Sequence, residues 1–396
     1  MRIGIDGSCL ANRRGFGRFA RQTLKALSET PSAHEFVVLV DRPSSPSVWV
    51  PDRFERVEIE VGEAPATAAS ATGRRRVRDM LAMGRGAARA GLDLIYFPAT
   101  YSFFPVWNVG RVVVTMHDTL AFDHPGLVFP TWQGRVSWTL KEHAAAKWAD
   151  RILTVSETSR RDLLRWFRLP GDKVSVVTEG PSEVFGPRPL GDESDAVLRR
   201  YSIEPGTRFL LYVGGLSPHK NLLRLIPAFA RGAPDDVRLV IVGDFSDVFH
   251  THVPELRAAV AEQGVGDRVV FTGFVPDDDL VYLDNRAEAL VQPSLMEGFG
   301  LPPVEAMACG TPVLSSNAGS LPEVVGEAGL FFDPTDIDGM AATIARLFGD
   351  PDLRARLSRL ALVRSAQFNW AKAARMLLDC FDELDPAGSR TVRKSA

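Results

Sequence analysis

The sequence predicts an α/β protein of two domains, each a parallel sheet with crossover helices. Three observations carry this reading. At 396 residues the chain is too long for one compact core. Strand-like apolar runs alternate with helical stretches almost throughout, the pattern of strand–helix–strand units rather than of hairpins. A segment rich in proline, glycine and charge, "FGPRPLGDES" (185–194), divides the alternation into two sets and reads as a linker.

The first set opens with "RIGIDGS" and continues through "FVVLVD", "LDLIYFP", "RVVVTMHD", "RILTVSE" and "KVSVV". Helical stretches near 18–29, 74–90, 132–149 and 157–168 separate most of these. The second set is "RFLLYVGG", "VRLVIVGD", "RVVFTGF", "ALVQPS", "TPVLSS" and "GLFFDP", followed by three helical segments between Ile337 and Leu384. The expected domains are residues 1–186 and 187–369, with a last helix (370–385) returning to the first domain. The Ala-rich stretch 64–72 and the tail 386–396 read as disordered. The architecture expected is two Rossmann-like domains facing each other across a cleft, with ligands outside the carboxyl ends of the strands.

Composition narrows the function. Three distant cysteines, with no CxxC pair and no histidine cluster nearby, argue for a reducing compartment and against a structural metal. The N-terminus "MRIGIDGS" reads as a strand rather than a signal peptide. No apolar run approaches the roughly 20 residues of a membrane span, so a cytoplasmic protein is expected. Up to Gly180 there are 25 Lys and Arg against 19 Asp and Glu, and beyond it 21 against 30. The N-terminal half therefore suits an anionic partner. A nucleic-acid partner is not expected at a net charge of −3 without a basic run elsewhere. A dinucleotide oxidoreductase would need GxGxxG and an acidic residue about 20 positions on, a pair that neither half supplies.

The chemistry-bearing residues follow the strands. In "PSLMEGFGLPPVEAMACGTPVLSS" (293–316), "ALVQPS" is a buried strand, "LMEGFG" the loop at its carboxyl end and "PPVEAMACG" a short helix. Proline at its start and Gly310 at its end suit that helix. Glu297 projects from the loop, and Glu305 is placed in the helix's first turn. Gly298 and Gly300 let the backbone approach a ligand and offer N–H donors. Two carboxylates beside exposed amides suit a polyhydroxylated ligand, each charged hydrogen bond contributing roughly 1.5–3 kcal/mol. In "YVGGLSPHKNLLRL" a strand ends at Gly214–Gly215, and a helix is expected to begin near Lys220 or Asn221. A helix N-terminus with a lysine is a phosphate site, and a fixed cation there favours a departing diphosphate. "GSCLANRRGFGRFARQTL" is a strand, a loop ending in Gly15–Phe16–Gly17, and a helix. His117 and Asp118 close the strand "VVVTMHD". The triplet Asp277–Asp279 sits at a helix start, where carboxylates complement the dipole, and no metal site is expected there. On the helix 74–90, Arg74, Arg78, Arg85 and Arg89 fall within about 60° of one another, opposite Val77, Met80, Leu81, Met83, Ala87 and Ala88. That cationic face is either solvated or contacts anionic lipid or a phosphorylated acceptor.

"EGFGLPPVEAMACGTPV" resembles the E-x7-E motif of retaining GT-B glycosyltransferases of the family-four type. The resemblance extends through "SLPEVVGEAGLFFDPTD", "YVGGLSPHKNL", "FTGFVPDDDL", "TVSETSRRDL" and "RRGFGRFARQTLKAL", in family order along nearly the whole chain. It implies the GT-B fold, with a nucleotide-sugar donor between the two domains, a hydroxyl acceptor and no metal or other cofactor. Glu297 would contact hydroxyls of the donor sugar and Glu305 the ribose. The amides of Phe299, Gly300 and Leu301 would face sugar and phosphate, and Val275 would meet the base through its backbone. Gly15 and Gly17 would approach the donor phosphate, and His117 the donor sugar. Lys220 would hold the diphosphate. Many members carry an arginine where this chain has Gly215, so a second cation is required from Arg13, Arg14, Arg18 or His219. "PHKN" places His219 on the arginine of a "PRKN" branch. The branch most resembled is mannosyltransferases using GDP-mannose, with UDP-sugar transferases second and a catalytically silent sugar-nucleotide-binding relative as the remaining alternative. Placement on the inner face of the membrane through the 74–89 arginines goes with this reading.

Overall fold

The computed structural model describes residues 1–12, 15–63, 76–129, 131–245 and 253–385. Arg13, Arg14, Arg74, the Ala-rich stretch and the tail lie outside the described residues. The chain divides into two units, Met1–Glu179 together with the segment from Trp370, and Gly180–Asn369. The boundary thus falls at Glu179/Gly180 rather than at 186/187.

The first unit is built on seven parallel strands: β1 (Arg2–Asp6), β2 (Glu35–Asp41), β3 (Glu55–Ile59), β4 (Leu94–Phe97), β5 (Arg111–Thr115), β6 (Arg151–Thr154) and β7 (Val174–Val176). Their order is β3-β2-β1-β4-β5-β6-β7. Beyond their first residues β1, β2, β4, β5 and β6 are buried and mostly Val, Ile, Leu and Phe, the composition of strands covered on both faces. β3 is absent from the sequence reading because only Ile59 of "ERVEI" is buried, so an edge strand carries no continuous apolar run.

Helices α1 (Gly15–Glu29), α2 (Val77–Arg89), α3 (Leu120–Asp123), α4 (Pro125–Val128), α5 (Trp132–Trp148) and α6 (Glu157–Phe167) lie between these strands. The helix expected from 18 begins instead at Gly15, so Gly15–Phe16–Gly17 forms its first turn rather than the end of a loop. On α2, Arg78, Arg85 and Arg89 are exposed while Met83 and Ala87 are buried. Val77, placed on the apolar side, is 65% exposed because it opens the helix.

The second unit has six parallel strands: β8 (Arg208–Val213), β9 (Val237–Val242), β10 (Val269–Gly273), β11 (Ala289–Gln292), β12 (Val313–Ser316) and β13 (Gly329–Phe332). The order β10-β9-β8-β11-β12-β13 is the doubly wound Rossmann arrangement, which reverses direction between β8 and β11. Register pairs Leu210 with Ala289, and Leu290 with Val313. The helices are α7 (Asp192–Arg200), α8 (Leu222–Gly232), α9 (Val253–Glu262), α10 (Asp277–Arg286), α11 (Leu301–Ala308), α12 (Leu321–Val325), α13 (Ile337–Gly349) and α14 (Pro351–Ser365). α7 takes the last residues of the expected linker, since Ser194 Oγ caps Gly191 N at 3.0 Å. Leu225, Phe229, Leu239, Ile241, Ile344 and Leu347 centre this unit's core.

The last helix, α15 (Trp370–Glu383), belongs to the first unit. It packs along α1, with Trp370 ring to ring with Phe19 at 5.9 Å and Phe381 against Tyr96 at 5.7 Å.

Candidate functional site

In a doubly wound sheet the strands on either side of the reversal send their following loops apart, which opens a crevice at their carboxyl ends. In the second unit those loops follow β8 and β11, and they carry Lys220 and Glu297. A short 3-10 turn, Pro218–Lys220, precedes α8, and Asn221 takes the left-handed conformation (φ 64°) before the helix starts at Leu222. Lys220 therefore closes the 3-10 turn two residues ahead of the helix, which was expected to begin near Lys220 or Asn221. Asn221 is buried, and its Nδ2 donates to Pro293 O (2.9 Å) and Pro334 O (2.7 Å). Leu295 N donates to His219 O at 2.8 Å. The turn after β8 is thus tied to the loop after β11.

That tie brings Lys220 Nζ to 2.6 Å from Glu297 Oε1, with side chains 18% and 13% exposed. Gln292 Nε2 (2.8 Å) and Ser294 Oγ (2.7 Å) donate to the same oxygen. Oε2 takes no hydrogen bond among the described residues. Burial pushes the Glu297 carboxyl up, but the charges of Lys220 and His219 and the hydrogen bonds from Lys220 and Ser294 outweigh it and hold the group below its ordinary value. Gln292 and Ser294 were not singled out from sequence. Their signal is two polar residues closing an otherwise apolar buried strand.

The rest of the stretch is braced from the end of β12 and from Ser320, which precedes α12. Ser320 Oγ donates to Glu297 O (3.0 Å) and Phe299 O (2.9 Å), and Ser316 Oγ to Ser294 O (2.6 Å). Gly300 has φ 101°, and a Cβ there would stand 2.8 Å from Leu321 Cδ2, so no other residue fits without strain. Leu301 opens α11, and Phe299 is buried edge-on against Phe368 at 5.5 Å. Glu305 is 2% exposed and is the fifth residue of α11, not in its first turn, because the helix already starts at Leu301 ahead of the two prolines. Gly215 follows β8, its carbonyl accepting from Tyr212 Oη at 2.6 Å. Val275 is buried at the end of β10, separated from β11 by β9 and β8. Asp279 accepts from Arg200 Nη1 (2.7 Å to Oδ1) and Tyr201 Oη (2.6 Å to Oδ2), so it locks α10 to α7.

In the first unit, His117 follows β5. Its Nε2 donates to Pro98 O at 3.1 Å, which leaves Nδ1 3.7 Å from Glu179 Oε1. The rings of Phe16 (4.8 Å) and Phe19 (4.7 Å), both on α1, hold the imidazole. Asp118 Oδ1 accepts from Leu120 N at 2.9 Å and shapes the turn into α3. A Cβ on Gly17 would fall 1.8 Å from Asn12 O, whereas one on Gly15 meets nothing within 4 Å among the described residues. The two glycines therefore differ: Gly17 is required by packing, and Gly15 faces open space. Glu179 had no sequence signal, because its partner lies 62 positions earlier in the chain.

Comparison with known proteins bears on the family and the fold. The family described as "Glycosyltransferase Family 4" matches residues 13–180, and "Glycosyl transferases group 1" matches 194–362. The chain is 33% identical over 301 residues to O-antigen chain mannosyltransferase B of Escherichia coli, covering 74% of this chain and 76% of that one. It is 32% identical over 239 residues to the E. coli serotype-specific mannosyltransferase WbdA, spanning 60% of this chain but only 29% of that protein. A D-inositol 3-phosphate glycosyltransferase of Acidothermus cellulolyticus is 36% identical over 242 residues, 59% of this chain and 53% of that one. Among solved structures, the sucrose-phosphate synthase of Thermosynechococcus elongatus superposes with a TM-score of 0.75 at 22% identity, over 97% of this chain and 99% of that chain. Anabaena HepE in complex with UDP and glucose gives 0.72 at 18% identity, over 97% and 100%. Two parallel sheets of Rossmann type, matched along both halves by these sequences and folds, make the chain a GT-B glycosyltransferase that belongs to the group 1 and family 4 glycosyltransferases.

Proposed function

We propose that the chain transfers a hexose, with retention of configuration, from a nucleotide sugar to a hydroxyl acceptor. The observation that carries this reading is the Lys220–Glu297 pair at the reversal between β8 and β11. Lys220 is a fixed cation for the diphosphate that gains charge as the glycosidic bond breaks. Its pairing with Oε1 leaves Oε2 of Glu297 for a hydroxyl of the donor sugar. The amides of Phe299, Gly300 and Leu301 take sugar and phosphate, Glu305 the ribose, and the backbone of Val275 the base. Gly15 and Gly17 border the donor phosphate, and His117 is assigned to the sugar. Glycosidases place two carboxylates on either side of the bond they cleave. Here Glu297 and Glu305 come from one loop and its helix, which suits positioning of the donor rather than that division of labour. The reaction proposed is a front-face substitution in which the departing phosphate oxygen takes the acceptor proton, with no metal required.

GDP-mannose is the donor we favour, because the mannosyltransferases of E. coli align over 60–74% of this chain. A UDP-sugar is second, as the structural neighbour HepE was solved with UDP and glucose. Calorimetric titration with GDP, UDP and ADP, with and without EDTA, tests both points. Tight binding of GDP that EDTA leaves unchanged is expected. Binding of no nucleotide would falsify the transferase reading and favour a silent relative disabled at Gly215. Proton NMR of the product from a donor of known anomeric configuration checks retention.

A further inference from the structure

α5 buries three side chains: Ala145, Ala146 and, unlike them, a charged one, Glu142. Carboxylates are almost never fully buried without a partner. Glu142 is 5% exposed, no salt bridge holds it among the described residues, and its Oε1 has no hydrogen-bond partner. Burial pushes its carboxyl up, Asp118 adds to the shift, and the charge of Lys141 and a hydrogen bond from Thr100 offset it only in part. Leaving such a group unsatisfied is destabilising, so a purely structural site would carry another residue.

The surroundings say what it faces. Glu142 shares a cavity of about 40 Å³ with Phe16, Thr100, Tyr101, Trp138 and His117. Trp138 lies one turn earlier on α5, and so on the same side of the helix as Glu142. The space holds about one or two water-sized groups, which is room for a hydroxyl or hydroxymethyl arm and not for a sugar ring. Phe16 lines the same cavity and, at 36% exposed, is accessible to the ring that would carry that arm. Aromatic faces for C–H groups beside a carboxylate for a hydroxyl are the chemistry of carbohydrate binding.

We infer that this cavity receives one hydroxyl of the acceptor sugar and that Glu142 Oε1 is its hydrogen-bond partner. Glu142 is then a positioning residue that selects the acceptor beside His117. The inference rests on the transferase reading above.

The test uses the full chain, GDP-mannose and UDP-glucose as donors, and the methyl α-glycosides of mannose, glucose and galactose with their monodeoxy analogues as acceptor probes. Nucleotide release without glycoside shows first whether the protein turns over donor, so failure of the transferase reading appears as no release from the wild type. At least one glycoside is expected to accelerate release. In Glu142→Gln the ratio of glycoside-dependent to glycoside-free release falls at least tenfold. One deoxy analogue loses as much with the wild type and nothing further with the variant. Glu142→Leu is expected to melt at the same temperature or a few degrees higher, since function rather than stability retains the carboxyl. An unchanged ratio in Glu142→Gln leaves only water in the cavity and overturns the inference. So does release that no glycoside accelerates. Glu142→Leu melting several degrees lower makes the residue structural, and that comparison decides even where no donor is turned over.

Discussion

Three donors converge on one oxygen of Glu297, and two of them, Lys220 and Ser294, help to hold the buried carboxyl below its ordinary value. In Lys220→Met, burial acts on Glu297 without its principal counter-charge. Loss of one partner of a largely buried pair is expected to cost about 2–3 kcal/mol in urea unfolding. The carboxyl is depressed in the folded protein, so its stabilising contribution is present above the ordinary carboxylate range and is lost as pH falls through the lowered value. Wild-type stability should therefore rise from acid pH toward neutrality, and Lys220→Met should lose most of that rise. A variant that keeps it would show that the ion pair does not set the titration. Turnover in Lys220→Ala or Glu297→Ala is expected to drop roughly 10²–10³-fold, on the scale of one preorganised electrostatic contact. Activity near that of the wild type in either would sink the site assignment. The two glycines of α1 make a contrast at the same scale. Gly17→Ala drives a Cβ into Asn12 O and should unfold the loop, while Gly15→Ala should gain about 0.5 kcal/mol of helix stability. If Gly15→Ala nevertheless loses transfer activity, its open space is where the donor phosphate comes.

Among the elements, the buried strands were legible because each is a continuous apolar run, and all six strands of the second sheet lie where those runs predict. β3 was not, since an edge strand shows the same charged surface as a loop. α3 and α4, four residues each, are too short to display a period. The site was legible by residue but not by contact. Lys220 and Glu297 were both singled out, yet their meeting depends on strand order, which places β8 beside β11 although β9 and β10 come between them in sequence. Glu142 had no signal, because a glutamate in a helix reads as solvated until the sheet beneath it is known. Asn221 is where elements are coupled: one side chain ties α8's entry to the chain after β11 and after β13. Asn221→Ala leaves two carbonyls unpaired and puts alanine in the left-handed region, so a loss of about 2–3 kcal/mol is expected. Thermal melting checks this, and Asn221→Gly, which relieves only the backbone term, should fall between.

At the scale of the whole molecule, the first unit is made from two separate pieces of chain, since α15 returns to it after the second unit is complete. α15 buries Trp370, Leu377, Leu378 and Phe381 against that unit. Truncation before Trp370 is expected to leave a soluble second unit and an aggregating first one, read by proteolysis of each. Equal resistance of both would mean that α15 contributes little. No helix among the described residues is long and apolar enough to cross a membrane. The exposed Arg78, Arg85 and Arg89 remain the face on which peripheral contact with anionic vesicles is to be measured.

The divided first unit also sets an order of birth. Domains usually close in the sequence in which the ribosome releases them, the N-terminal one first. Here residues 1–179 wait for a helix that emerges only after the second unit. The part of α1 that packs against α15, Phe19 among it, stays uncovered until α15 has left the exit tunnel, by which time the second unit has had its whole length available to fold. The part made first is finished last, and stalled nascent chains ending short of α15 should stay protease-sensitive in their N-terminal half alone.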